Sequence, residues 1–263
     1  MNHPFFTIIT VCYQAEETIE QTIDSVLAQT FSDIEYVIVD GASTDKTLEI
    51  IEKYRDDPRV TLISEKDQGI YDAMNKGAKI ARGAYVEFLN SGDTFTDPDV
   101  LTNVHAYITE HSGDLFYGDI VYRQPDGGES VRRYSQFCSS SFYYLLGDSI
   151  NHQSLFAKRT CFDGQFFDLQ YAVVADRDWL IRMKKQNYAY KYMNMLVCNY
   201  SLDPDSFSIV NMEAHWKEVD GLIKKYYPAG LPVYRFLNLI RHGKVTSKVL
   251  HSLYRIVYIG KTK

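Results

Sequence analysis

Between residues 5 and 93 the chain alternates short apolar runs with amphipathic stretches, and this alternation constrains the fold more than any other feature. Phe5 to Cys12, Ile34 to Val39, Val60 to Ser64 and Tyr85 to Leu89 read as buried strands. Between them, Thr18 to Gln29 sets Ile19, Ile23, Val26 and Leu27 on one helical face. Ser43 or Thr44 can cap a second helix with Asp45 in its first turn, and Ile70 to Ala81 supplies a third. Strands separated by helices of this length imply a mostly parallel, Rossmann-like α/β sheet with right-handed crossovers. Such sheets bind ligands beyond the carboxyl ends of their strands.

The alternation then gives way to a mixed second half. Pro98 opens a helix with Val100, Leu101, Val104 and Ile108 inward, and Leu115 to Tyr122 and Glu129 to Tyr134 flank a Gln-Pro-Asp-Gly-Gly turn as a hairpin. Three segments are expected: 1–115 as a nucleotide-binding half, 116–220 as a mixed half, and 221–263 as a basic amphipathic extension, predicted helical. The extension carries nine Lys or Arg and no Asp or Glu, in a chain with 34 acids and 28 bases. A basic, aromatic tail on an acidic body suits an anionic membrane surface, or equally a helix packed on that body. The acidic body argues against a nucleic-acid partner.

Hydrophobic residues at 45% and charged residues at 24% exclude a disordered chain. The four cysteines form no Cys-x-x-Cys pair and read as reduced thiols. No basic region precedes a long apolar stretch, so a signal peptide is not expected, nor is there an apolar run long enough to span a bilayer. The expected location is therefore the cytoplasm, peripheral on the inner face of the membrane if the tail binds it. The 21 Tyr and 14 Phe are a surplus, suited to core packing and also to flat faces of the kind that line sugar and nucleotide sites.

Asp40 ends the second strand and Asp93 follows the fourth, so a parallel sheet puts both on one rim. A nucleotide diphosphate needs such a pair, one carboxylate for base or ribose and one to hold a metal against the phosphates. No Gly-x-Gly-x-x-Gly follows the first strand, which disfavours a dinucleotide dehydrogenase.

The stretches Thr-Ile-Ile-Thr10-Val-Cys-Tyr13-Gln14, Ile-Val-Asp40-Gly-Ala-Ser-Thr-Asp45, Glu-Lys-Asp67-Gln-Gly-Ile-Tyr71-Asp72-Ala-Met-Asn75 and Phe-Leu-Asn90-Ser-Gly-Asp93 resemble the family 2 glycosyltransferases, over roughly residues 5 to 200. Closest is the branch that builds bacterial capsule, exopolysaccharide or O-antigen units. The resemblance implies a GT-A fold, a nucleotide-sugar donor with a UDP-sugar favoured, Mg²⁺ or Mn²⁺, and inversion at the anomeric carbon. It implies that Thr10, Tyr13 and Asp40 line base and ribose with Asp67 and Asn75 nearby, and that Asp93 holds metal and diphosphate. Asn90 departs from the pattern by standing where the first acid of the Asp-x-Asp motif belongs, which leaves it weakening the metal site or binding ribose instead.

Val-Val-Ala175-Asp176-Arg177-Asp178-Trp179 resembles the family's Glu-Asp segment, with Ala175 in place of the Glu, so Asp176 matches the general base and Asp178 is its fallback. An acceptor hydroxyl needs such a base as it attacks. Both acids also suit a helix N-terminus. His152, in Asn151-His152-Gln153, faces diphosphate or acceptor, or serves the fold alone. No Gln-x-x-Arg-Trp of processive synthases appears, so one residue is added per acceptor, a glycan on a polyprenyl diphosphate if the enzyme works at a membrane. A nucleotidyltransferase acting on sugar phosphates and a non-catalytic carbohydrate-binding protein are the competing readings, and neither requires Asp40, Asp93 and Asp176 around one cleft.

Overall fold

The computed structural model describes residues 3–202 and 210–241. Its first half is a parallel sheet: β1 (Phe6–Cys12), β2 (Ile34–Asp40), β3 (Val60–Ser64) and β4 (Tyr85–Phe88), in the order β3-β2-β1-β4. All seven residues of β1 and of β2 are buried, because helices cover both faces and no polar-out alternation is needed. On one face Ile8 and Ile38 pack against Ile23 of α1 (Ile19–Leu27) and Ile51 of α2 (Thr47–Glu52). On the other, Ile9 and Val39 meet Met74 of α3 (Ile70–Ile80). The expected cap of α2 shifts: Ser43 Oγ accepts from Gln14 N, while Asp45 accepts from Thr47 N.

The second half extends the sheet. β5 (Thr94–Phe95) and α4 (Val100–Glu110) lead to the hairpin β6 (Leu115–Arg123) and β7 (Glu129–Arg132). After α5 (Ser141–Leu145) come β8 (Leu155–Lys158), α6 (Ala175–Lys185) and β9 (Tyr190–Ser201). The order continues β4-β8-β6-β9-β5, with β8 antiparallel to β4 and β6 and β9 parallel to β6. Sequence periodicity does not reveal β9. Its register against β6 shifts around Asp119, and Asn194 adopts φ 51°, so apolar and polar residues fall out of strict alternation.

At residue 221, where the extension is expected to start, the chain packs on the body, one of the two readings open for it. α7 (Met212–Tyr226) runs across the expected boundary and buries Val219, Leu222 and Ile223 completely, followed by α8 (Leu231–Arg241). Glu218 of α7 accepts hydrogen bonds from the backbone N–H groups of Ala172, Val173 and Val174 at 2.9–3.2 Å, fixing the segment that enters α6. Asp178 of α6 is fully buried and binds Arg182 Nε at 2.8 Å, Lys225 Nζ at 3.2 Å and Tyr226 Oη at 2.8 Å. The part of the basic tail predicted to touch a membrane from residue 242 onward lies outside the described residues. Among the described residues no helix is long and apolar enough to cross a membrane.

The Asp178 cluster clamps α7 to α6. Asp178→Ala, which strands those partners without their buried acceptor, is expected to cost about 3 kcal/mol. In a chain of this size that lowers the thermal midpoint by roughly 6–12 °C, which a calorimetric scan would register.

Candidate active site

A cleft of about 1470 Å³ opens along the carboxyl edge of the sheet. That exceeds the few hundred to about 1,000 Å³ of a single-ligand pocket and leaves room for two substrates side by side. Its floor comes from the ends of β1 and β4, one wall from the segments after β2 and β3, and the other from α6, α7 and the turn before β8.

On the first wall Tyr13 is well exposed and Asp67 faces the cleft. A Cβ on Gly41 would lie 2.5 Å from Asp67 Oδ2 and 3.3 Å from the Tyr13 ring, so glycine lets the backbone pass between them. Asp67 Oδ1 accepts from Gly69 N at 2.8 Å, and Gly69, at φ 116°, turns the chain into α3. Four other expected residues lie off the cleft wall. Thr10 is fully buried, its hydroxyl bonded to Leu89 O and Tyr36 Oη. Asp40, also fully buried, spends its carboxylate on Ser43 N and Ser64 Oγ, which shapes the Gly41–Ala42 segment without reaching the cleft. Asn75 closes a two-way bond with the backbone of Phe167 and so ties α3 to the second half. Asp178 faces α7 as described above, which removes it as an alternative base.

The floor is the turn Asn90–Asp93, closed by Asp93 N donating to Asn90 O with Gly92 at φ 95°. Asp93 accepts from Ser201 N at 3.1 Å and Gln153 Nε2 at 3.2 Å. Burial pushes its carboxyl up to about 7, against these hydrogen bonds and the nearby His152. Ser201 and Gln153 emerge only from the structure. Gln153 adjoins His152 in sequence and carried that hint, whereas Ser201 acts through its backbone and left none.

Opposite lies Asp176, about one fifth exposed, at the start of α6. Tyr71 Oη donates to its Oδ1 at 3.0 Å, Arg177 N at 2.8 Å, and His152 Nδ1 lies 3.2 Å from Oδ2. Burial alone would raise this carboxyl, but the hydrogen bond and charge of His152, then Arg177, overcome it and hold it below the usual carboxylate range. The other ring nitrogen of His152 lies 3.0 Å from Asn90 Nδ2. One histidine thus joins the turn after β4 to Asp176 on α6. Tyr13, Asp67, Asn90, Asp93, His152 and Asp176 all line the cleft.

For a divalent ion the donor set is sparse but consistent. Among the described residues no three His, Cys, Asp or Glu cluster as ligands. Asp93 is a carboxylate whose affinity for a proton is raised by burial, and Asn90 Oδ1, in the same turn, has no hydrogen-bond partner. These hard oxygens suit an ion held chiefly by the oxygens of a diphosphate.

The chain is 34% identical over 211 residues to a PGL/p-HBAD biosynthesis glycosyltransferase of Mycobacterium bovis, covering 76% of this chain and 78% of that protein. It is 36% identical over 104 residues, 40% of this chain and 41% of the other, to the Escherichia coli protein named UDP-Glc:alpha-D-GlcNAc-diphosphoundecaprenol beta-1,3-glucosyltransferase WfaP. In fold it resembles S. aureus TarS 1-349 in complex with UDP, with TM-score 0.60 and 22% identity, over 83% of this chain and 64% of that one. It also resembles the mannosyltransferase PcManGT of Pyrobaculum calidifontis in complex with GDP-Man and Mn2+, with TM-score 0.63 and 17% identity, over the whole chain and 82% of that one. Both likenesses show the GT-A fold. The model of glycosyl transferase family 2 matches residues 7–172, and the chain is a glycosyltransferase of that family.

Proposed function

We propose that this chain is an inverting, metal-dependent glycosyltransferase that moves one sugar from a UDP-sugar to a hydroxyl of a lipid-linked glycan. The observation that carries this reading is the single cleft with Asp93 on its floor and Asp176 on its wall, joined through His152. A UDP donor is favoured by the ligand of TarS and the name of WfaP, and a lipid-linked acceptor by the name of WfaP alone.

The first wall, with Tyr13 and Asp67, takes the nucleoside. Asp93 and Asn90 hold the diphosphate end, with Mg²⁺ or Mn²⁺ as the ion they suit. When bound, such an ion offsets the negative charge that grows on the departing diphosphate. Asp176 accepts the proton of the acceptor hydroxyl as that oxygen attacks the anomeric carbon from the face opposite the leaving group. Because the attack is direct, one base suffices and the configuration inverts. Tyr71, Arg177 N and His152 fix both oxygens of that base, so orientation is set before substrate arrives.

Asp176→Asn is expected to keep donor affinity and lower turnover by about 10² or more, measured as UDP release in the presence of acceptor. Wild-type turnover in that variant would remove Asp176 from the chemistry. Replacing Asp93 by Asn should abolish the rise in thermal midpoint that UDP with Mn²⁺ gives the wild type, since only ligands that favour the folded state raise it. A variant that retains the full Mn²⁺-dependent rise would show that Asp93 does not hold the ion. A panel of nucleotide sugars in the same assay identifies the donor.

The pH profile tests the role of His152. Asp176 works as the carboxylate, and because its pKa is held low, the base form persists down through the ordinary carboxylate range. His152→Ala removes the chief group holding it down, so the acid limb of kcat should move toward neutral pH with donor KM within about twofold of wild type. An unmoved acid limb would leave His152 without a positioning role.

A further inference from the structure

Helix α8 presents an apolar face to solvent. Val233, Phe236 and Leu239 are 50%, 50% and 45% exposed, at spacings that share one side of a helix. Its inward residue, Tyr234, is buried against Gly147, and its N-terminal turn, at Gly230, lies against Leu145 of α5. α5 itself exposes Phe142 at 48%, whose ring lies 6.1 Å from that of Phe137, also 43% exposed. Gly147 and Asp148, just past α5, line the cleft, and Gly147 O accepts from Arg177, so this apolar surface adjoins the wall that carries Asp176.

Charge indicates what covers it. The 22 residues after Arg241 hold five Lys or Arg (Lys244, Lys248, Arg255, Lys261 and Lys263) and no Asp or Glu. All 34 acids, with the other 23 of the 28 bases, precede them. The acidic body is repelled by an anionic surface, whereas the tail that leaves α8 is attracted to one. Half-exposed Phe, Val and Leu beside a basic segment are the combination by which a peripheral helix enters the headgroup boundary of a bilayer.

We propose that the exposed face of α8, with Phe142 and Phe137 of the adjoining segment, docks on an anionic lipid bilayer, and that residues 242–263 supply the electrostatic attraction. The docked face turns the acceptor side of the cleft toward the membrane, where a lipid-linked sugar is presented. Only this last step rests on the transferase reading, since vesicle binding needs neither donor nor acceptor.

The test is co-sedimentation of the full chain with vesicles of phosphatidylcholine alone or containing 30% phosphatidylglycerol, at low and at high salt. Binding is expected to the anionic vesicles only, and to weaken steeply with salt. The variant Val233→Ser/Phe236→Ser/Leu239→Ser changes only exposed side chains. It should lower partitioning at least tenfold while its thermal midpoint and its UDP release with a soluble acceptor stay at wild-type values. A second full-length variant, with the five bases after Arg241 changed to Gln, should lose the preference for anionic vesicles. Wild-type partitioning by the triple variant overturns the proposal, as does equal binding to neutral vesicles. A wild-type dimer that the triple variant converts to a monomer, with no change in vesicle binding, would assign the face to a second copy of the chain instead. Loss of UDP release in Asp176→Asn with intact vesicle binding leaves docking standing, so the two readings can fail separately.

Discussion

The bridge from Asn90 through His152 to Asp176 is the interaction on which the site depends. It spans 86 positions of sequence and joins the parallel half of the sheet, which ends in the Asn90–Asp93 turn, to the helix that carries the base. Without it Asp176 would be a carboxylate one fifth exposed, with one oxygen fixed and the other free to turn. Asn90, which departs from the acidic pattern, meets that imidazole through its amide.

Two carboxylates on one cleft are driven in opposite directions, which suits the roles proposed for them. Asp93 is raised to about 7 by burial, whereas Asp176 is held low by His152 and Arg177 despite burial. The pattern matches the general rule that a site divides its chemistry between titratable groups by giving them different environments. Asp176 is ionised and oriented at neutral pH, as a proton acceptor must be. Asp93, whose carboxylate form is disfavoured by burial, suits a cationic partner.

Much of the first half was legible because its signals are local. β1 to β4 and α1 to α4 follow from runs and periods within a dozen residues, and topology then places Asp40 and Asp93 on the same rim. Rim position, however, does not say which way a side chain points. Thr10 and Asp40 sit at the carboxyl edge yet turn their polar atoms into the protein, because Tyr36, Leu89, Ser43 and Ser64 satisfy them there. β9 escaped because its bulged register against β6 breaks the two-residue period that betrays a strand. Ser201 and Glu218 act on the site through partners distant in sequence, and no local pattern announces such a contact.

Asp176 and Asp178 show the limit of a sequence motif most sharply. Two residues apart on a helix, they project about 200° from one another, so they cannot face the same surroundings. Either could serve as a carboxylate at the helix start, and spacing alone does not choose between them. The choice is made by α7, whose Lys225 and Tyr226 occupy Asp178 while Glu218 of the same helix holds the backbone of residues 172–174 just ahead of Asp176. A helix expected to begin a separate tail is thus what orients the base. Its opposite end leads through α8 to the apolar face proposed to dock, so one helix both orients Asp176 and joins it to that surface.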